Sequence, residues 1–192
     1  HRRQVDEVVV GPYDEPAAEA RRLAEWLGQA DVPVGQARPG QSRQIGPLTV
    51  HVLGPRRVIT GEGSTPNNAS LVVFAQSRGV RILLTGDVEP PAARMLVSSR
   101  AWPAVTPVDV LKVPHHGSAY QDPQLLTGSG ARVALISVGA DNDYGHPAGS
   151  TLQALRRAGV LVTRTDQDGD VAVTVPPDQL TVTRRTPVGA TR

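Results

Sequence analysis

The stretch from Leu71 to Thr85 constrains the fold more than any other. Leu71-Val72-Val73-Phe74-Ala75 and Val80–Thr85 are two apolar runs joined through Arg78-Gly79, which reads as a hairpin of two buried strands. A tight hairpin pairs its strands antiparallel. Beyond it, apolar runs alternate with helical stretches. Glu89–Ser98 is a predicted helix with Pro in its first turn, Val108–Val113 a strand, Asp122–Leu126 a short helix and Val133–Val138 a strand. Ser150 is placed to cap a helix that runs to Ala158 and ends at Gly159. Val160–Thr165, the Asp168-Gly169 turn and Val171–Val175 read as a second hairpin, and Leu180–Arg185 as a further strand. Upstream, Val5–Val10 and Leu48–Leu53 read as strands, Pro16–Ala30 as an amphipathic helix and Arg56–Asn67 as a loop. Hairpins mixed with helical crossovers predict an α/β fold with mixed sheets and disfavour a purely parallel doubly wound sheet.

The 192 residues suit one domain, and no linker or internal repeat divides them. The chain starts at His1 and its one methionine is Met95, so the first residue reads as a processed or internal start. There is no run of 18 apolar residues of the kind that spans a membrane. Aromatics are 3%, so the core must be built from Val, Leu, Ile and Ala. Cysteine is absent, which excludes disulfides and thiolate-held metal. Any metal must be held by His, Asp, Glu or Asn. Lys112 is the single lysine, so the basic residues are otherwise arginines, which suit phosphate geometry but also accompany an Ala-, Gly-, Pro- and Val-rich composition.

Three apolar strands are each followed at once by polar or ionisable residues. These are Leu83-Leu84-Thr85-Gly86-Asp87, then Val110-Leu111-Lys112-Val113-Pro114-His115-His116-Gly117-Ser118, then Ile136-Ser137-Val138-Gly139 leading to Asn142-Asp143-Tyr144-Gly145-His146-Pro147. Strand ends of layered sheets commonly carry catalytic groups. If the three strands lie side by side, one carboxylate and three imidazoles converge, a set suited to zinc or manganese. Each residue has a plainer role open to it: Asp87 as a helix cap, His115-His116 as a hydrogen-bonded turn, His146 as a loop histidine. Lys112 sits inside an apolar strand, where it either points to solvent or flanks an anion. His51 lies within a strand and, with His1, is set aside.

In order and spacing, this series resembles the metallo-β-lactamase-like domain of ComEC-type competence proteins, which import DNA. The matching segments are Asn68-Ala69-Ser70-Leu71-Val72, Leu83–Asp87, Leu111–Ser118, Tyr144-Gly145-His146-Pro147 and Arg164-Thr165-Asp166-Gln167-Asp168-Gly169. The resemblance implies an αββα sandwich with mixed sheets over residues 1–186, followed by a frayed tail at 187–192. It also implies a two-metal phosphodiesterase or nuclease, with Mn or Zn as cofactor and a DNA strand as substrate. Asp87 corresponds to the bridging metal ligand, and His115 or His116 to a second ligand. His146 corresponds to a residue that binds phosphate or protonates the leaving oxygen, a catalytic role also open to His115. Asn68, Lys112, Ser118, Asn142 and Tyr144 become candidates for substrate contact. The partners implied are single-stranded DNA, or another phosphodiester, and a membrane channel in the same longer chain, with this domain outside the cytoplasmic membrane.

The sequence departs from the family at one point. The superfamily's main metal motif, His-x-His-x-Asp-His, is nowhere in it. Val5–Val34 resembles the segment that follows that motif, so the chain is expected to lack the N-terminal portion of the domain and to be inactive alone. A degenerate, non-catalytic relative is the alternative. Two rival functions stay open: a DNA-binding or transporter-docking module, motivated by Arg-Arg pairs such as Arg56-Arg57 and Arg156-Arg157, and a hydrolase of another phosphodiester.

Overall fold

The computed structural model describes residues 4–174 and 180–185. Its centre is the hairpin expected from the sequence, β5 (Val72–Ser77) and β6 (Val80–Leu84), turned by Arg78-Gly79 with both residues at positive φ. On one side it is extended antiparallel by β4 (Leu48–Gly54) and then the edge strand β3 (Ser42–Ile45). On the other side follow three parallel strands, β7 (Val110–Lys112), β8 (Val133–Ile136) and β9 (Leu161–Arg164). The result is one seven-stranded mixed sheet in the order β3-β4-β5-β6-β7-β8-β9. Two small ladders accompany it. Strand β1 (Val8–Val10) pairs parallel with β2 (Val34–Gln36), and β10 (Asp170–Thr174) pairs antiparallel with β11 (Thr181–Arg185).

The parallel half forms because helices occupy its crossovers. Helix α3 (Pro90–Val97) and the turn α4 (Trp102–Val105) lie between β6 and β7, α5 (Pro123–Leu126) between β7 and β8, and α6 (Gly149–Arg157) between β8 and β9. Asp122 caps α5 by accepting the Leu125 N–H at 3.0 Å. Successive side chains on a strand point to opposite faces, so the register puts Leu83, Leu111 and Ala134 on the same face. All three have no exposed surface, and they join Val113, Leu125, Ile136 and Leu155 in one core. That aliphatic core matches the scarcity of aromatics. Helix α1 (Ala17–Gln29) falls where the sequence places it, but none of its residues is buried. Among the described residues, no helix is long and apolar enough to cross a membrane.

Two expectations are corrected. Val160–Thr165 and Val171–Val175 do not form a hairpin. Strand β9 pairs with β8, and β10 pairs with β11. The reason is the single turn α7 (Thr165–Asp168). There the Asp168 carboxylate accepts the Arg164 N–H at 2.9 Å, and the Thr165 hydroxyl joins the Val138 backbone, so the chain leaves the sheet after Arg164. Ser150 does not cap α6. The N-cap is Ala148, whose N–H donates to Gly117 O at 2.8 Å, so a tertiary contact sets where the helix begins. Strand β3 was not foreseen, because Ser42-Arg43-Gln44-Ile45 is exposed throughout and carries no apolar alternation. The expected tail at 187–192 and the end of the Val171–Val175 run lie outside the described residues.

Leu111 tests this core. Leu111→Ala should lower the free energy of unfolding by about 2–5 kcal/mol, the range for a buried Leu truncation, read as a lower urea midpoint at unchanged slope. A change under about 1 kcal/mol would contradict the packing described.

Candidate functional site

The three sequence segments that end in ionisable residues follow β6, β7 and β8, which are neighbours in the sheet and run parallel. Leu84 stands opposite Lys112, and Lys112 opposite Leu135, so the strands finish level and their following loops meet at one edge. That convergence is what the sequence alone left conditional.

The loops are tied together by polar groups that the strands deliver. The Thr85 hydroxyl, fully buried, donates to Lys112 O at 2.7 Å and pins the end of β6 to that of β7. Gly86 follows at φ +57, where a Cβ would stand 2.6 Å from Ser70 Cβ, so the close approach of the Ser70 segment needs glycine. The Asp87 N–H then donates to Ser70 Oγ at 3.0 Å. Lys112 turns its ammonium to Gly86 O at 2.6 Å and to Asp87 Oδ1 at 3.1 Å. The lysine in the apolar strand is therefore partnered with the carboxylate that follows the neighbouring strand β6, and it leaves the second oxygen, Oδ2, without that restraint.

His115, His116 and Gly117 take three successive positive φ values, 45°, 52° and 79°. Left-handed backbone costs a non-glycine residue roughly 1–2 kcal/mol, and such strain collects where side chains must be aimed. Here it sends the two imidazoles in different directions. His116 bonds Ser137 O through Nδ1 at 2.7 Å, and its Nε2 stands 3.5 Å from Asp87 Oδ2. A ring N–H given to a backbone carbonyl fixes the tautomer and leaves the other nitrogen as a lone-pair donor, the usual state of a metal-ligating histidine. Two ligands at ordinary bond lengths around one cation lie on the order of 3 Å apart, so Asp87 Oδ2 and His116 Nε2 fit one edge of a coordination shell. His115 points instead to Glu89. Its Nδ1 is buried, has no hydrogen-bond partner, and stands 3.8 Å from Glu89 Oε1. Among the described residues, no three His, Asp or Glu side chains form a group that could hold a metal by themselves.

His146 closes the site from the third loop. Its ring meets that of His115 edge-on at 5.4 Å, and the exposed Tyr144 ring stacks beside it at 6.1 Å. Asn142 holds the loop by accepting the His146 N–H at 3.1 Å and donating to His146 O at 3.0 Å. Burial, and then the neighbouring His115 and His116, push the His146 pKa below the ordinary histidine value. The remaining candidates are turned inward. Asn68 is fully buried and joins Glu62 O to the Ala92 N–H. Ser118 is buried, and its carbonyl accepts the Thr151 hydroxyl of α6. His51 bonds Ser42 across the β3–β4 pair, away from these loops.

Sequence reasoning missed Glu89. It reads as the start of α3, yet its buried carboxylate accepts from the Ser64 N–H at 2.8 Å and Asn67 Nδ2 at 3.0 Å while facing His115. An acid two residues beyond Asp87 was the available signal.

No family model matches the chain. It is 33% identical over 161 residues to ComE operon protein 3 of Bacillus subtilis, a match covering 83% of this chain and 19% of that protein. Over that stretch the chain is similar to one segment of ComE operon protein 3. It is also 32% identical over 116 residues to the uncharacterized protein YcaI of Escherichia coli, covering 60% of this chain and 15% of that one. The chain thus spans less than a fifth of the length of either relative. Among solved structures, a metal-dependent hydrolase from Parabacteroides distasonis superposes with a TM-score of 0.51 at 12% identity, over 86% of this chain and 78% of that one, which supports the fold.

The depressed His146 pKa gives a sign. The unfolded chain binds more protons than the folded one between the lowered value and about 6.5, so folding stability at this site is complete above that range and declines as pH falls through it. In a chemical-shift titration the His146 ring should titrate below the free-histidine value, and His115→Ala should move it back upward. A midpoint at or above about 6.5 would contradict the described environment.

Proposed function

We propose that this domain is the hydrolytic part of a metal-dependent nuclease that degrades a DNA strand during DNA uptake. The observation that carries the reading is the pairing of Asp87 Oδ2 with His116 Nε2 at 3.5 Å, with Lys112 on the other carboxylate oxygen and Ser137 O on the other imidazole nitrogen. Similarity to ComE operon protein 3 supports the competence setting, and the name of the Parabacteroides structure supports metal-dependent hydrolysis. In this reading Asp87 and His116 hold a divalent ion, Mn or Zn by their donor types, and His-x-His-x-Asp-His residues upstream complete a two-metal site. Such ions activate water and stabilise the charge on a scissile phosphate.

The chain's own residues divide the remaining work. Lys112 holds Asp87 in place and offsets its charge. Glu89 faces His115 across 3.8 Å and supplies the nearest negative charge to its Nδ1. His146, kept neutral by burial and its two imidazole neighbours, offers a ring N–H to a phosphate or leaving oxygen. Tyr144, exposed beside it, and Asn142, which closes its loop, position that group. Asn68 and Ser118 act by holding the Asp87 and His116 segments rather than by touching substrate. The DNA strand, the membrane channel in the same longer chain and the extracytoplasmic location all belong to this proposal.

Metal binding separates the two adjacent histidines. In a protein that joins this domain to an upstream His-x-His-x-Asp-His motif, Asp87→Ala and His116→Ala should each abolish most of the rise in Tm that Mn2+ or Zn2+ produces, whereas His115→Ala should keep it. The reverse ranking would overturn the ligand assignment. In a protein that joins this domain to an upstream His-x-His-x-Asp-His motif, Asp87→Ala should remove metal-dependent cutting of single-stranded DNA by at least about a hundredfold. Equal cutting by the variant would refute the nuclease reading.

A further inference from the structure

Four arginines outside the site surround one depression of about 670 Å3. Arg56 and Arg57 come from the loop after β4, Arg94 from the last turn of α3, and Arg100 from the turn that follows it. All four are exposed, and among the described residues no carboxylate lies within ion-pair distance of any of them. Glu62 is the one acid on the lining. Elsewhere among the described residues four arginines pair with carboxylates, Arg43 with Glu7, Arg132 with Asp109, Arg164 with Asp166 and Arg184 with Asp168, while Arg21, Arg22, Arg38, Arg78, Arg156 and Arg157 are exposed without one; the depression differs in gathering four unpaired guanidiniums around one concavity. Four unpaired guanidiniums gathered from three chain segments repel one another unless an anion lies between them.

Arg56 and Arg57 also line a narrow cleft with Ser70, whose Oγ accepts the Asp87 N–H, and with Val88, the residue after Asp87. Helix α3 leaves Pro90 beside Asp87 and reaches Val97 after eight residues, about 12 Å. The arginines thus stand a few phosphate spacings from the carboxylate. The lining holds no aromatic side chain on which a base could stack. From this geometry we infer that the Arg56, Arg57, Arg94 and Arg100 groove binds the phosphodiester backbone of a nucleic-acid strand, independently of sequence, and leads that strand to the Asp87 edge. The inference rests on the phosphodiesterase reading of the site and names the surface that would hold its substrate. Guanidinium forks recognise phosphate oxygens in pairs, and contacts of this kind set position without reading bases.

The test is the salt dependence of binding a fluorescent single-stranded oligonucleotide, followed by anisotropy with chelator present so that no metal contributes. For single strands, each phosphate contact adds about 0.7 to the slope of log affinity against log salt. The double variants Arg56→Gln/Arg57→Gln and Arg94→Gln/Arg100→Gln should each lower the slope by about 1.4. Arg156→Gln/Arg157→Gln, which removes the same net charge from α6, should leave it unchanged, and Arg94→Lys/Arg100→Lys should keep most of it. Far-UV circular dichroism and Tm confirm that each variant is folded. Equal losses in groove and α6 variants would overturn the proposal, because net charge alone would then explain binding. So would no measurable oligonucleotide binding, or binding to phosphatidylglycerol vesicles in its place. Cleavage is a separate readout. Groove variants with unaltered slope in a protein that still cuts DNA would sink this inference and spare the nuclease reading, whereas lowered slopes with no cleavage would do the opposite.

Discussion

The parallel pairing of β6, β7 and β8 governs the rest of the molecule. Its ladder aligns Leu84 with Lys112 and Lys112 with Leu135, so three loops start from one level at one edge of the sheet. The pairing holds because Leu83, Leu111 and Ala134 share a fully buried face, where helices from the crossovers cover them. A one-residue slip would turn each of these side chains to the other face and carry Lys112 into the core. Burial of the aliphatic layer and placement of the ionisable residues are therefore one constraint.

Electrostatics at the edge follow from that register. A carboxylate, an ammonium and three imidazoles within a few ångströms would be costly if unpaired. The chain meets this by fixing Asp87, His116 and the backbone of the His146 loop with neighbours. Asp87 has Lys112 on one oxygen, His116 has the Ser137 carbonyl, and Asn142 holds the loop that carries His146. What stays open is specific: the second oxygen of Asp87, the Nε2 of His116, and the buried Nδ1 of His115 facing Glu89. Backbone strain is stored at the same point, in the left-handed His115 and His116. Gly117 completes that turn at φ +79, and a Cβ there would sit 2.7 Å from Pro147 Cβ, so the His-His turn and the His146 loop can close on each other only around a glycine.

The basic surface fits the same arrangement on a larger scale. Arginines that pair with carboxylates lie where strands and loops are tied, as Arg164 does with Asp166 and Arg132 with Asp109. Those around the depression at the end of α3 have no such partner, and α3 itself begins next to Asp87. One short helix thus separates the ionisable edge from the unpaired guanidiniums. The arginine excess, ambiguous as composition, becomes informative where the fold gathers four unpaired guanidiniums around one depression.

The hairpin at Arg78-Gly79, the mixed character of the sheet and the chemistry available at the ends of three apolar strands were legible in the sequence, because turn residues and apolar runs are local signals. The sequence also carried the ordered motif series from Asn68 to Gly169 on which the resemblance to ComEC-type domains rests. It could not place β3, whose exposed residues lack alternation, nor foresee that Thr165 and Asp168 would break the second hairpin through contacts with Val138 and Arg164. Only the tertiary structure decided that His116 rather than His115 turns its free nitrogen to Asp87, that Lys112 pairs with that carboxylate, and that Asn68 is consumed by internal hydrogen bonds. Adjacent histidines are equivalent as letters. They diverge because three successive left-handed residues rotate one imidazole toward the Ser137 carbonyl and the other toward Glu89, and no local sequence rule encodes partners supplied by distant strands.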